Sequence, residues 1–514
     1  MATYRILDDT KLDGTWSLSP SGSETRIPGT LSWTTDRAQL DLHDTFAPMR
    51  GHIYGDETVA FPAIYGITTK SQFVTVLNPV KSSSGVTFGQ AGLRQRDSLI
   101  ASWVIVGAHV QEGTLYTELY AQIPGLALWL CPNPISMNME MDDKNNAIFM
   151  EYKVPTVTQE EHKVPEISSK FVWSIGRSFG GDRITDVTIK TFGSLIIKST
   201  EPHTIEWFID QLGKATTLLA FIAGSPMGPE SITARIAESD NKVDVLVALR
   251  KGESCPFENL HDFFMTRSSM SATLEHVFTR WFARYPTVEM PAQLALSVLS
   301  SKGLWLHVEF LSLMQALEGL HRETMPGLYV EASRYESVER TLTEAIPDTV
   351  GPDHRRSLTA RIHYGNEFSL GKRLNDLSQR LELPLRKFIL GSDLVPRQWI
   401  ETRNYYTHWD SNSKDTVLTS GNMHHACLRL RLLLRALYLD FVGIPQAAIA
   451  KSLVNACRDS QYLIQLNNAE VRKRNPGVDV KPLMTISTGA SIQPAGDEVP
   501  SDNKGATLGD ASAS

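Results

Sequence analysis

The hydrophobic pattern of this chain changes its period near residue 260, and this change constrains the fold more than any other feature. Before residue 260, short runs of β-branched and aromatic residues alternate with polar ones between Gly, Pro, Asp and Ser clusters. Such runs, spaced about 8–12 residues apart, predict a sandwich or barrel. After residue 260, apolar residues recur at helical spacing, which predicts a helix bundle. We therefore expect an α+β protein with a β-rich domain at 1–260 and an α-helical domain at 261–465.

The same patterns predict the individual elements. Strands are expected at residues 15–18, 29–33, 38–42, 51–54, 64–68, 72–77, 102–110, 115–121, 126–131, 171–175, 185–198 and 243–249, with a helix near 206–223. Helices are expected at 259–285, 292–320, 333–345, 356–381, 396–409, 420–442 and 446–466. Pro396 suits a first helical turn, and Ser420 suits an N-cap.

The composition limits the class of protein. Hydrophobic residues make up 42% of the chain and charged residues 21%, as in an ordinary globular protein. The formal net charge of −7 argues against indiscriminate binding to nucleic acids or membrane surfaces. Four widely spaced cysteines favour reduced thiols over a disulfide framework or a zinc ribbon. With neither a signal peptide nor a membrane-spanning apolar run recognised, we expect a cytoplasmic protein without a membrane partner.

The last part of the sequence, residues 466–514, has a different composition. Tyr462 is the last aromatic residue, and from Arg472 onward the chain is rich in Gly, Ser, Pro, Asp and Ala. Such a segment buries too little apolar surface to offset the entropy of ordering it. We therefore predict a disordered tail.

Several common catalytic motifs are absent from the sequence. The string from Gly365 to Arg373 resembles a P-loop but has one residue too many and ends in Arg. The zinc-protease and dinucleotide-binding motifs do not occur either. We therefore expect neither a cofactor nor a metal ion.

One short segment, RNYYTH at residues 403–408, combines side chains that suit RNA cleavage. It lies on a predicted helix, where Asn404 and His408 share a face at i, i+4, and the long side chain of Arg403 reaches the same patch. Histidine transfers protons near neutral pH. Arginine binds phosphate with two parallel hydrogen bonds and stabilises the charge that develops there. The ribose 2′-hydroxyl can serve as the nucleophile, so this site needs no metal and excludes DNA.

The spacing of Arg and His alone is weak support, because two other pairs share it. Arg37 and His43 lie on a predicted strand, and Arg356 and His363 lie on an ordinary amphipathic helix. A surface Arg and a capped His remain the structural alternative for residues 403–408.

The surroundings of this segment resemble the bacterial ApeA anti-phage proteins. RNYYTH matches the HEPN ribonuclease motif, in which Arg and a polar residue precede His, and the following Trp409 and Asp410 suit it. The segment FLSLMQALEGLHR at 310–322 is similar to the first long helix of ApeA-type HEPN domains, and LRLRLLLRALYLDFVGIP resembles the helix after their motif. GTWSL, IPGTLSW, GHIYG and FPAIYGITT resemble the accompanying N-terminal domain. The likeness extends over most of residues 10–465.

This resemblance implies a metal-independent ribonuclease that acts in anti-phage defence by abortive infection. In the family's scheme, Arg403 grips the scissile phosphate, His408 is the general base or acid, and Asn404 orients them. Glu318 is a supporting candidate that would pair with Arg403 or lie on the surface as an ordinary helix Glu. Tyr405, Tyr406 and Asp410 are further candidates; the tyrosines would stack on bases or pack against the core.

The expected partners are cellular RNA, with tRNA among the targets, a second copy of the chain in a HEPN homodimer, and a phage-derived trigger. The β-rich domain is expected to be a sensor, regulatory or substrate-selecting domain. Residues 351–460 contain 16 Lys and Arg against 10 Asp and Glu, a net charge of +6 that leaves −13 on the remainder. RNA binding to the helical half is therefore compatible with an acidic chain.

Two other functions remain open. The first is a non-catalytic HEPN scaffold that binds a nucleotide or a protein through the same patch. The second is a carbohydrate- or protein-binding β-module with a helical dimerisation domain, which the lack of a clear aromatic platform in residues 1–260 disfavours.

Overall fold

The structure is a computed structural model. It describes residues 4–21, 25–46, 60–89, 92–131, 135–144, 147–154, 159–182, 186–239, 241–248, 257, 259–301, 303–409, 411–454, 458–474, 484–486 and 492–494. The predicted strand at 51–54 and Asp410 lie outside the described residues.

The first half is built from antiparallel strands, as the alternating pattern predicts. They are β1 (Thr10–Ser17), β2 (Ile27–Thr34), β3 (Arg37–Leu42), β4 (Ala63–Thr68), β5 (Phe73–Leu77), β6 (Val80–Gly89), β7 (Gly92–Ala101), β8 (Trp103–Val106), β9 (Tyr116–Ile123), β10 (Ser136–Met141), β11 (Ala147–Lys153), β12 (Gln159–Val164), β13 (Ser169–Gly180), β14 (Thr188–His203), β15 (Ser231–Ile236) and β16 (Lys242–Val247). Fourteen of them form one sheet in the order β12-β13-β14-β9-β15-β16-β8-β5-β4-β1-β2-β3-β7-β6, while β10 pairs with β11 separately.

Close packing of an aromatic residue against a glycine fixes the register at the centre of this sheet. The Trp16 indole of β1 is fully buried and lies over Gly66 of β4, its register partner. A Cβ atom at Gly66 would come within 2.4 Å of the indole ring, so only glycine fits there. The indole Nε1 donates a hydrogen bond of 3.1 Å to the carbonyl oxygen of Gly29 in β2. The ring therefore ties three neighbouring strands together.

One predicted strand is a helix. Residues 126–131, LALWLC, form α1 (Leu126–Leu130), which follows Gly125 in the left-handed region at φ 79°. The buried Trp129 indole donates a hydrogen bond of 2.9 Å to the carbonyl oxygen of Met265. A short apolar run has no readable period, so the prediction of a strand was wrong here. Tertiary packing decides the conformation instead.

The second half is helical, as the change of period predicts, but several helices start or break at unexpected positions. The bounds are α2 (Ile205–Ala223), α3 (Leu274–Leu299), α4 (Leu306–Thr324), α5 (Ala332–Glu344), α6 (Pro352–His363), α7 (Leu370–Ser378), α8 (Leu383–Leu390), α9 (Arg397–His408), α10 (Ser420–Phe441), α11 (Gln446–Val454) and α12 (Arg458–Arg474). The predicted helix 259–285 begins only at Leu274, after two 3₁₀ turns. The predicted helix 356–381 is divided into α6 and α7.

Polar side chains set the boundaries that the hydrophobic pattern misplaces. Thr419, not Ser420, caps α10, because its hydroxyl accepts a hydrogen bond from the Asn422 amide at 3.4 Å. Between α6 and α7, the Asn366 side chain exchanges hydrogen bonds of 3.0 and 2.8 Å with the backbone of Val330. These bonds hold the chain in a turn where an uninterrupted helix was expected.

A continuous hydrophobic core joins the sheet half to the helical half. The Phe221 ring of α2 stacks on Tyr438 of α10, with ring centroids 4.2 Å apart, and Trp281 of α3 packs against both. The buried Arg435 of α10 donates a hydrogen bond of 2.9 Å to the carbonyl oxygen of Gly224, the residue that ends α2. The long helix α10 therefore rests on α2 and supports α4 on another side.

Helical structure continues past the predicted boundary at residue 465, because α12 runs to Arg474. Two short strands, Met484–Ile486 and Ile492–Pro494, pair with each other. The rest of the predicted tail lies outside the described residues. Within the part of the chain that the structure describes, no helix combines the length and apolar character needed to cross a membrane.

Candidate functional site

The predicted motif occupies the second half of α9. Pro396 caps the start of this helix, and Trp409 ends it in the left-handed region at φ 53°. The buried Trp399 and Thr402 anchor the inner face of α9, and the Thr402 hydroxyl accepts a hydrogen bond of 3.0 Å from the returning backbone at Leu418. The outer face of the helix then carries the motif.

Arg403 is held between two polar partners. Its Nη2 atom lies 3.2 Å from Oε2 of Glu318 on α4, and its Nη1 atom donates a hydrogen bond of 3.3 Å to Oδ1 of Asn404. The Arg403 side chain is 27% exposed and that of Glu318 17% exposed. The guanidinium is therefore oriented by protein groups while part of it still faces solvent.

His408 lies one helical turn after Asn404, at the end of α9, and is exposed. Among the described residues, its imidazole has no hydrogen-bond or ion-pair partner. The neighbouring Thr407 hydroxyl is engaged, since it donates a hydrogen bond of 2.8 Å to the carbonyl oxygen of Arg403. His408 is thus available to a ligand, and Asp410 beside it lies outside the described residues.

Tyr406 occupies the flank of α9. It is half-buried, packs against the core and stacks on His307 of α4, with ring centroids 5.6 Å apart and an interplanar angle of 16°. One part of this tyrosine therefore packs against the core, while another part remains accessible. Trp409, which is 71% exposed, meets both Tyr405 and Tyr406 at centroid distances of 6.1 Å.

A chain of alternating charges extends from Arg403 into the protein. Glu318 also accepts hydrogen bonds of 3.2 Å from Arg322, and Arg322 donates one of 2.9 Å to Glu367. Glu367 in turn pairs with the buried Arg373 at 3.0 Å. Burial lowers the pKa of Arg322, but its hydrogen bonds with Glu367 and Glu318 outweigh burial and raise it overall. Glu318 is therefore held on both sides by guanidinium groups.

Two open grooves meet at these charges, each with a volume of about 560 Å³. Glu318, Arg322 and Arg403 line both of them. One groove runs along α4 past Gln315 and Leu311, and the other lies between α9 and the start of α7. An extended anionic ligand could follow either groove past Arg403.

Comparison with protein families decides what kind of protein this is. The profile described as ApeA N-terminal domain 1 matches residues 11–281, more than half of the 514-residue chain. The chain belongs to the ApeA-like family. The profile described as Apea-like HEPN matches residues 311–448, a range that contains Glu318, Arg403 and His408. No curated protein and no solved structure matches the chain.

This ApeA-like protein therefore carries a C-terminal HEPN domain, a type of domain that is commonly a ribonuclease. In the described ranges, no group of three or more His, Cys, Asp and Glu side chains could hold a metal ion. Arg322 was missed by sequence reasoning, although its i, i+4 spacing from Glu318 is readable. Trp305 and His307 had no sequence signal, because their position beside α9 depends on the tertiary fold.

The positive charge of the helical half is not all available to a ligand. Arg373, Arg429 and Arg435 are buried, with exposed fractions of 2–4%. Arg429 donates a hydrogen bond of 2.7 Å to the carbonyl oxygen of Ile389. Counting charges along the sequence therefore overstates the basic surface, since part of this charge holds helices together.

Proposed function

We propose that this ApeA-like protein is a metal-independent endoribonuclease of bacterial anti-phage defence. It cuts cellular RNA, with tRNA among its targets, and so stops phage growth by abortive infection. The observation that carries the proposal is the exposed face of α9, where Glu318 and Asn404 orient Arg403. One helical turn after Asn404, the exposed His408 has no partner among the described residues. This arrangement lies inside the matched HEPN range.

The proposed reaction is an attack within the RNA backbone. His408 removes the proton of a ribose 2′-hydroxyl, and the 2′-oxygen forms a bond to the adjacent phosphorus. The bond from phosphorus to the 5′-oxygen of the next nucleotide breaks, and that oxygen takes up a proton. The products are a 2′,3′-cyclic phosphate and a 5′-hydroxyl. Arg403 stabilises the additional negative charge on the phosphate oxygens.

The balance of protons supports a homodimer as the active form. One imidazole that has accepted the 2′-hydroxyl proton cannot at once protonate the departing 5′-oxygen on the other side of the phosphorus. A second copy of His408 from a partner subunit supplies that proton. In this scheme, the β-rich half senses a phage-derived trigger and controls the paired sites.

The proposal is tested with purified full-length protein and total RNA, in the presence of excess EDTA. We expect His408→Ala and Arg403→Ala each to slow cleavage by about 100-fold or more, as expected for loss of a general base or a phosphate-binding group. DNA of the same sequence should not be cut. Arg356→Ala and His363→Ala are matched controls, because these two exposed residues have a similar spacing and both lie on α6.

Cleavage that persists in both α9 variants would contradict the proposal. An absence of cleavage by the triggered wild-type protein, together with tight binding of a nucleotide or protein at α9, would favour the scaffold function instead. Sequencing of RNA 5′ ends from infected cells with wild-type or His408→Ala protein identifies the RNA that is cut.

A further inference from the structure

The distribution of tryptophans singles out one surface beside α9. The chain has ten tryptophans, and eight of them are buried or half-buried. The two exposed ones are Trp305, which is 78% exposed, and Trp409, which is 71% exposed. Tryptophan is among the most buried side chains on average, so two exposed indoles near one another indicate a binding surface.

Trp305 and Trp409 are joined by two further rings. Trp305 precedes α4 and lies 6.5 Å from His307 between ring centroids. His307 stacks on Tyr406 at 5.6 Å, and Tyr406 meets Trp409 at 6.1 Å. These four residues form a continuous aromatic surface across the junction of α4 and α9, which we call the aromatic platform.

The aromatic platform is next to the groove that contains Arg403. Tyr406 follows Arg403 by three residues, which is about one helical turn. On α4, His307, Leu311 and Gln315 follow one another at i, i+4 spacing and so lie on one face of that helix. Leu311 and Gln315 line the groove that ends at Arg322 and Arg403. The groove therefore leads from the two guanidinium groups toward the platform.

We infer that the aromatic platform binds unpaired bases of the RNA substrate by stacking, next to the scissile phosphate at Arg403. The inference rests on the proposed ribonuclease function for the identity of the nucleic acid. Every base has a face that can stack on an aromatic ring, and bases within a duplex are not accessible for it. The substrate is therefore a single-stranded region, such as a loop or an unpaired end, with little dependence on sequence.

Charge and ring chemistry favour RNA over a second copy of the chain as the occupant of the platform. Arg322 and Arg403 in the adjoining groove are complementary to a phosphate backbone. Two indoles, an imidazole and a phenol are amphipathic rings, suited to stacking and to hydrogen bonding at their edges.

The test measures the affinity of full-length protein for a short fluorescein-labelled single-stranded RNA, in a His408→Ala background that prevents cleavage. We expect Trp305→Ala and Trp409→Asn each to weaken binding by about tenfold, the effect of losing one base–aromatic stack. Asn is chosen because position 409 has φ 53°, which Asn tolerates. Trp305→Phe and Trp409→Phe should bind the RNA within about threefold of the affinity of the parent protein, because they keep an aromatic ring.

Tyr364→Ala is the matched control, since Tyr364 is a 63% exposed aromatic residue of the same half that lies outside the platform. A blunt-ended RNA duplex without unpaired bases should bind all variants equally. An abasic nucleotide moved along the RNA should weaken wild-type binding at one or two positions and have no further effect in the tryptophan variants.

The outcomes separate this inference from the proposed function. Unchanged RNA affinity in the tryptophan variants overturns the inference, even if the wild-type protein cuts RNA. A reduced molar mass in light scattering with unchanged RNA affinity also overturns it and assigns the surface to contact between copies. Tryptophan-dependent RNA binding without any cleavage leaves the platform standing and contradicts the ribonuclease function.

Discussion

Mild acid should weaken the contact between β12, at the edge of the sheet, and helix α3, because His162 is buried there as a neutral ring. His162 lies on β12, is 5% exposed and packs against Trp173 and against Phe278 of α3. Neither ring nitrogen has a hydrogen-bond partner among the described residues. Burial lowers its pKa from 6.5 to about 4; Glu160 opposes this shift and Arg267 adds to it.

The sign and size of the effect follow from proton linkage. Between pH 6.5 and about 4, the unfolded chain binds a proton at His162 that the folded chain does not, so stability falls as the pH is lowered through this range. The full loss is about 3.5 kcal/mol, at about 1.4 kcal/mol for each pH unit between the two pKa values. Between pH 7 and pH 5 the loss is about 2 kcal/mol. Above pH 7, His162 is neutral in both the folded and the unfolded chain, so this loss of stability is absent.

The measurement is the melting temperature of wild-type protein and of His162→Phe at pH 7 and pH 5. Phe keeps a ring in the aromatic cluster but cannot be protonated. For a domain of this size, about 2 kcal/mol corresponds to about 4 °C, so the wild-type Tm should fall by about 4 °C more than that of the variant. His43→Phe, at an exposed position, is the control. An equal fall of Tm in wild type and His162→Phe would refute the reasoning.

Three further changes test the site and its support. Glu318→Gln removes the carboxylate that orients Arg403, so we expect single-turnover RNA cleavage to slow by about tenfold while Tm changes little; an unchanged rate contradicts this role. Gly66→Ala places a Cβ atom 2.4 Å from the ring of Trp16. It should lower the free energy of unfolding by about 2 kcal/mol, seen as a lower Tm. Arg435→Met removes the donor of the hydrogen bond to the part-buried carbonyl oxygen of Gly224. It should lower the free energy of unfolding by about 2 kcal/mol, and an unaltered Tm would contradict this stabilising role.

The sequence predicts the two halves of the fold because their hydrophobic periods differ, and it predicts α9 closely because Pro396 marks its start. The strands β6, β7, β10–β12 and β15 were not predicted. Residues 80–101 contain Ser, Gly, Arg and Asp where an apolar alternation is needed to recognise a strand. Their conformation depends on pairing with neighbouring strands, which no local pattern reveals.

The candidate site was predictable only as far as one helix extends. Asn404 and His408 lie at i, i+4 on one helix, so their shared face follows from helical geometry, and Arg403 precedes Asn404. The contact of Arg403 with Glu318 joins residues 85 positions apart and was suggested only by the family resemblance. The exposure of Trp305 and Trp409 depends on how α4 crosses α9. Sequence reasoning therefore identified the reactive groups but missed the surface beside them.

The packing of α10 connects the sheet half with the helix that carries Glu318. Its Tyr438 stacks on Phe221 of α2, on the side of the sheet. About two turns earlier along α10, Arg431 forms an ion pair of 2.9 Å with Glu309 of α4. The same α4 carries Glu318, which holds Arg403. Because interiors are closely packed, a displacement of α2 cannot be absorbed at Tyr438 without moving α10 or opening a cavity. A continuous series of packed and ion-paired contacts therefore connects the β-rich half with Arg403 through two helices.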